Sequence, residues 1–334
     1  MNNIIIIIII IALGIASFGL TYWIRNFALR KKIVDIPNER SLHSIPTPKG
    51  GGLAIVISWY VGITILFFFN AIEPNLYYAL MSGFILMIVS LVDDLMSLKP
   101  GIRLLVHFGT SILAFYFLQG LRPFIIPELG LESLYMFYPI VIIGMVWFIN
   151  LFNFMDGVDG FASLEAVLVS LVIFIFSGNI INLLFIICIA GFLYWNWPRA
   201  KIFLGDVGST QLGFILIVLG IYFHNSLEFS ILNWIMLTSP FWFDATFTLY
   251  RRWKNKEKLS HAHKKHVYQR FVQAGFSHQK VNFYLIGVNL ILVIFIFLYR
   301  EFPILKIPIF VVALFFYYFI TKIVDKKVPF KNKL

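Results

Sequence analysis

The sequence predicts an all-α, polytopic integral membrane protein. Of its 334 residues, 60% are hydrophobic and only 13% are charged, and the mean hydropathy is +0.87. A water-soluble fold has no way to hide that much apolar surface, and a helix needs about 17–25 mostly apolar residues to cross a bilayer. The third observation is the placement of cations. All but three of the 27 Lys and Arg fall in alternate loops, the exceptions being Arg122, Arg300 and Lys306. Such a bias sets topology by the positive-inside rule, so the N-terminus is expected outside and the C-terminus in the cytoplasm.

The apolar runs give about eleven spans, near residues 4–24, 52–69, 76–92, 103–120, 134–152, 161–176, 180–197, 211–224, 230–250, 281–299 and 304–321. The first lacks the basic start and small-residue cleavage site of a signal peptide, so it reads as a transmembrane helix. The run at 161–176 is short and flanked by Gly160 and Gly178, which predicts a tilted or broken span. No inverted repeat of the transporter kind is visible, nor is a separate soluble domain. The expected organisation is one membrane-embedded domain over residues 1–334, with cytoplasmic loops at 25–51, 93–102, 153–160, 198–210 and 251–280. The single cysteine, Cys188, lies in an apolar run and excludes disulfides and cysteine metal sites. The net charge of +11 fits an anionic substrate and membrane orientation better than nucleic acid.

Every cluster of chemically capable residues falls on the basic side. Residues Asp35 to His43 lead into Pro46-Thr47-Pro48-Lys49-Gly50-Gly51-Gly52. Arg40, His43 and Lys49 are suited to phosphate there, and the glycines would let backbone approach a ligand closely. Asp93 and Asp94 end a span, where adjacent carboxylates repel and call for a shared cation or proton. Arg103 follows.

The stretch Asn150 to Gly160 places two amides, two carboxylates and two glycines at another span end. Asn153 and Asp156 stand at i and i+3, as do Asp156 and Asp159, and share a face while the helix lasts. Gly157 and Gly160 are expected to loosen it and free N–H groups for an anion. In Phe203-Leu204-Gly205-Asp206-Val207-Gly208-Ser209, an acid sits between glycines with an aromatic ring three residues ahead. That ring is placed to stack on a base, although most of the 37 phenylalanines serve packing.

The last loop carries His261, His263 and His266 beside Lys264, Lys265 and Arg270. Three histidines raise zinc, but the cations around them favour an oligophosphate. A basic amphipathic segment on anionic lipid would share this composition. A polar turn would likewise account for any one of these clusters, but hardly for all of them on one face. Acids that hold a cation, rimmed by cations that hold phosphates, form the arrangement phosphoryl transfer needs.

These motifs resemble those of the polyprenyl-phosphate N-acetylhexosamine-1-phosphate transferases. The matching elements run in family order from residue 35 to residue 270, and the histidine loop looks like the O-antigen-initiating, WecA-like branch. The resemblance implies transfer of a sugar-1-phosphate from a UDP-N-acetylhexosamine to undecaprenyl phosphate, releasing UMP with Mg²⁺ (or Mn²⁺) as cofactor. The implied location is the cytoplasmic face of a bacterial inner membrane, with a homodimer left open. It also implies residue roles. Asp206 would bind the metal, and Phe203 would stack on uracil, with Asn153 and Asp159 at the nucleotide end. Asp156 would lie near the reacting phosphates, and Asp93 and Asp94 would orient or deprotonate the lipid phosphate. His43, Lys49 and Arg103 would hold phosphate, and His261, His263, His266 and Arg270 would hold the donor. The chain departs from the family at Ser97, where a third acid often follows the pair.

The rivals are an MraY-like transfer of phospho-muramyl-pentapeptide and a transporter or lipid flippase. Transporters place ionisable groups near the bilayer midplane, whereas here the acids sit at span ends, with Asp244 the nearest exception.

Overall fold

Local chemistry sets where each apolar run starts and stops as a helix. The computed structural model describes residues 3–38, 41–96, 98–123, 125–126, 131–132, 137–259, 261 and 263–330. Arg40 and Ser97 lie outside them. The helices are α1 (Asn3–Lys31), α2 (Gly52–Phe68), α3 (Pro74–Met81), α4 (Gly83–Met96), α5 (Pro100–Phe117), α6 (Tyr138–Phe154) and α7 (Phe161–Ser177). They continue as α8 (Ile180–Asn196), α9 (Gly205–Asn225), α10 (Ile231–Leu237), α11 (Ser239–Lys254), α12 (Val267–Gln273), α13 (His278–Glu301) and α14 (Lys306–Lys327). Two short antiparallel pairs accompany them, β1 (Val34–Asp35) with β2 (Thr47–Pro48) and β3 (Ile125–Ile126) with β4 (Leu131–Glu132).

Proline opens α3, α5, α6 and α11 within the first two positions, where its missing N–H costs nothing. Asn179, Ser230 and Ser277 cap α8, α10 and α13 by accepting backbone N–H bonds from Ile181, Leu232 and Lys280, as short polar side chains do at N-caps.

Among the described residues, six helical segments are long and apolar enough to cross a membrane, and α2, α6, α7 and α8 are shorter apolar helices. The protein is therefore a multi-pass helical membrane protein. The run at 161–176 is one continuous helix, bounded by left-handed Gly160 and Gly178 at φ 74° and 63°. The interruptions fall elsewhere. Ser82 separates α3 from α4 and turns its hydroxyl back onto the Ala79 carbonyl at 2.7 Å. Thr238 separates α10 from α11, where Pro240 removes a helical N–H.

Helix α9 is the central pillar, packing on α2, α4, α6, α7 and α10 and buried along nearly its whole length. Its fully buried Gln211 accepts from Tyr60 Oη at 2.9 Å and donates to the Gly83 carbonyl at 2.6 Å. Such polar pairs hold helices together where lipid offers no hydrophobic drive. At the α2–α9 crossing, a Cβ on Gly52 would stand 2.3 Å from Gly208 Cα and 2.8 Å from the Leu204 carbonyl. The contact is backbone against backbone, so no side chain can rotate away.

Gly52→Ala is accordingly expected to cost about 1–3 kcal/mol or more by overpacking. The check is the thermal unfolding of the detergent-solubilised protein. Gly101→Ala, which meets nothing within 4 Å, should not lower that temperature.

Candidate functional site

The loops assigned to the basic side converge at one end of the helices, and backbone hydrogen bonds join them. Phe203 N–H donates to the Pro48 carbonyl at 2.8 Å, Gly51 N–H to Phe203 O at 2.9 Å, and Gly52 N–H to Leu204 O at 2.8 Å. The glycine run is expected to let backbone approach a ligand closely, and the amides there show what it approaches in the structure. Two of those amides bond to the neighbouring loop, and the glycines permit close packing. The amides of the other glycine-rich stretch are also engaged. Gly157 N–H donates to Tyr268 Oη at 2.9 Å, and Gly160 N–H to Asn196 Oδ1 at 3.0 Å.

The adjacent acids Asp93 and Asp94 diverge, because consecutive helical residues point about 100° apart, and each finds its own partners. Asp93 accepts from Leu98 N–H at 2.7 Å and from Arg103 Nη1 at 2.9 Å. Asp94 faces Lys49 Nζ at 3.6 Å and accepts from Val207 N–H at 3.4 Å. Asp206, in the first turn of α9, has its Oδ2 3.7 Å from Arg103 Nη1.

Helix α6 ends at Phe154, so Asn153 and Asp156 do not continue one helical face. Asn153 Oδ1 accepts from Ser209 Oγ at 2.8 Å. Asp156 lies beyond the helix end. Burial, followed by the neighbouring carboxylates Asp206, Asp159 and Asp94, pushes the Asp156 carboxyl well above the usual range. Asp159 is committed to structure. Its Oδ2 accepts from Arg199 and Ala200 N–H, each at 3.2 Å, and lies 3.1 Å from His278 Nδ1.

In the histidine loop, burial and then the nearby His266 and Arg252 push His263 down to about 3. The ring is therefore neutral at pH 7. Its Nδ1 accepts from Lys265 N–H at 3.2 Å, so the proton sits on Nε2 as a donor. His266 is buried, with Nδ1 3.5 Å from Asp244 Oδ1. Asp244, the acid nearest the membrane interior, accepts from Val267 N–H at 2.8 Å and Tyr268 N–H at 3.1 Å. It thus caps α12 from a neighbouring helix. Arg270 is not brought to the carboxylates, and its guanidinium donates to Asp325 and to the Val328 carbonyl.

Two of the cavities among these groups meet at Asp206. The first, about 470 Å³, is lined by His43, Lys49, Asp94, Asp156, Asp159, Phe203, Asp206 and His263 among others. His43 meets Phe203 edge-on, with ring centroids 4.9 Å apart. The second, about 430 Å³, is bounded by Asp93, Arg103, His107, Asn150, Asn153, His261 and His266, with Leu104 and Leu249 on its apolar side. Asp206 and His263 border both cavities and form their common wall.

The sequence reading missed His107, whose Nδ1 lies 3.0 Å from Asn150 Nδ2. Its i+4 spacing from Arg103 on α5 was the available signal. Tyr268 and His278 carried no such signal, because each reaches the site across the fold.

A helical membrane protein with facing polar and half-apolar cavities joined at a carboxylate defines an enzyme class acting at a lipid surface. Residues 76–224 match the profile described as Glycosyl transferase family 4. A Bacillus subtilis protein named probable undecaprenyl-phosphate N-acetylglucosaminyl 1-phosphate transferase is 31% identical over 278 residues, covering 79% of this chain and 77% of that one. The Thermotoga maritima undecaprenyl-phosphate alpha-N-acetylglucosaminyl 1-phosphate transferase is 31% identical over 261 residues, covering 77% and 80%. A Kosmotoga olearia phospho-N-acetylmuramoyl-pentapeptide-transferase is 30% identical over 197 residues, covering 51% and 58%. The chain belongs to glycosyl transferase family 4, the polyprenyl-phosphate N-acetylhexosamine-1-phosphate transferases.

Tyr268 tests the geometry without reference to any reaction. Its Oη accepts from Gly157 and donates to the Phe154 carbonyl at 2.9 Å. Tyr268→Phe is expected to lower stability by about 0.5–1.5 kcal/mol per bond lost, read as a lower unfolding temperature with faster exchange at the Gly157 amide.

Proposed function

We propose that the protein transfers N-acetylhexosamine-1-phosphate from a UDP-sugar to undecaprenyl phosphate. An oxygen of the lipid phosphate attacks the phosphorus that bears the sugar. The bond from that phosphorus to the oxygen of the uridine phosphate breaks, and UMP leaves. The carrying observation is the shared wall, with a polar chamber of nucleotide-sugar size on one side and a chamber with an apolar edge on the other. The similarity to two undecaprenyl-phosphate N-acetylglucosaminyl 1-phosphate transferases supports the same reading.

In this reading Phe203 stacks on uracil, with His43 against its edge, and Asp159 holds the floor of the donor chamber together. Arg103, oriented by Asp93, meets the lipid phosphate beside His107 and Asn153. His261 and His266 border that chamber, and His263 presents its Nε2–H at the junction. Arg270 shapes the loop from outside. Because both Asp93 oxygens are engaged, Asp93 acts as a positioning residue. A phosphate monoester with a second pKa of about 6 is largely dianionic at neutral pH and needs little help from a base. That favours direct attack over an aspartyl intermediate.

The residues present fit a divalent cation. Asp94, Asp156 and Asp206 crowd one region where, among the described residues, Lys49 and Arg103 are the close cationic partners, and two anionic substrates would add to that charge. Among the described residues no three His, Cys, Asp or Glu side chains form a metal cage. Mg²⁺ usually takes one or two carboxylates and completes its shell with water and substrate phosphates. Asp206 would hold it, and it would supply neutralisation of the donor diphosphate. Mn²⁺ has the same donor preference.

The charge bias supports eleven spans, with the N-terminus outside, the C-terminus inside and the site at the cytoplasmic face of a bacterial inner membrane.

The test is UMP release by the full chain in lipid, against UDP-N-acetylhexosamines and UDP-muramyl-pentapeptide, with and without undecaprenyl phosphate. Release is expected with an N-acetylhexosamine donor, only with the acceptor present, and it should stop on chelation. Preference for the pentapeptide donor would assign the MraY-like reaction, and acceptor-independent release would overturn the proposal. Two variants refine it. Asp206→Asn should abolish turnover while the protein stays folded. Phe203→Ala should weaken donor binding by about 1–3 kcal/mol, the worth of a stacked base, and leave the lipid KM unchanged.

A further inference from the structure

The last turn of α14 and the residues that follow it are fastened to α11 and the histidine loop by a cluster of contacts. Asp325 accepts from Arg251 at 3.1 and 2.9 Å, a bidentate fork, and from Arg270 at 2.6 Å. Arg270 also donates to the Val328 carbonyl. The Phe330 ring, 6% exposed, has three cations over it. Arg251 Cζ lies 3.8 Å from its centroid, Lys265 Nζ 5.3 Å and Arg270 Cζ 5.5 Å. Cations are drawn to the negative face of a ring, the more so when water is excluded.

The held residues flank those at the cavities. Lys265 N–H donates to His263 Nδ1, and Arg270 N–H to the His266 carbonyl at 3.0 Å. Apart from these ties, none of the described residues of 255–266 has a helix or strand to fix it. Their other main anchor is Arg252, which donates to the carbonyls of Lys258, Leu259 and His261 and pairs with Glu257. Glu257 in turn holds Lys265 at 2.8 Å. The loop is thus pinned from α11 at one side and from the 325–330 segment at the other.

We propose that Asp325 and Phe330 are positioning residues for the transfer reaction: they clamp Arg251, Lys265 and Arg270 and so hold His263 at the junction of the two chambers. Neither touches a substrate. The proposal rests on the transferase reading, and it predicts that the far C-terminal segment governs turnover from outside the two chambers that meet at Asp206.

The experiment uses the full chain in lipid nanodiscs with UDP-N-acetylglucosamine and undecaprenyl phosphate. Phe330→Ala and Asp325→Asn are expected to lower kcat by about 10–100-fold, since displacing a reacting group by about an ångström costs on that order. UDP affinity should be unchanged, because the uridine end is held by Phe203. Phe330→Trp, which keeps a ring for the cations, should restore kcat. Adding Phe330→Ala to His263→Ala should give no further loss, as residues acting through one another are non-additive. Hydrogen exchange over 258–266 should rise in Phe330→Ala without any substrate, which separates failure of the clamp from failure of the transferase reading. Unchanged exchange, full additivity with His263→Ala, or wild-type kcat in folded Phe330→Ala would each overturn the proposal.

Discussion

The close approach of Gly52 to Gly208 is the constraint on which the site depends. With no side chain between them, α2 and α9 bring the 46–52 and 203–205 loops into backbone contact. That seam sets Lys49 against Asp94 and leaves Asp206 in the wall shared by both chambers. A methyl group at the crossing would spread the helices and move both loops together. The electrostatic site is therefore built on a packing contact that carries no charge.

Charge balance is the second organising term. Several of the carboxylates are distributed among partners of their own. Asp93 is tied to Arg103, Asp94 to Lys49, Asp159 to backbone amides and His278, and Asp244 to the start of α12. Buried acids settle in this way when each finds its own donors, because unpaired charge in low dielectric is costly. What remains incompletely compensated is the Asp156–Asp206 region, where burial and then the neighbouring acids raise Asp156.

Much of this was legible in the sequence, for a physical reason. Apolar length and cation bias are one-dimensional signals, so the helical spans and the shared face of the loops could be read directly. Residue types also located the clusters that line the cavities. Orientation was not legible. Asp93 and Asp94 look equivalent as a pair, yet one helical step sends them into different chambers. Glycines at 51, 52, 157 and 160 read as ligand cradles, but their amides or close contacts serve the protein itself. Arg270 read as a donor contact, although its guanidinium turns toward Asp325. The continuous α7 and the breaks at Ser82 and Thr238 depend on tertiary packing that flanking glycines do not reveal.

The seclusion of α9 has a mechanical consequence. Membranes differ in thickness, and helices that face lipid adapt by tilting or bending to match the hydrocarbon slab. Here α1, α5, α13 and α14 present their apolar sides outward, whereas α9 is enclosed by its neighbours. Deformation of the bilayer is thus absorbed by the perimeter, and the pillar that carries Asp206 is shielded from it. The protein separates the part that must comply with a fluctuating solvent from the part that must hold atomic register.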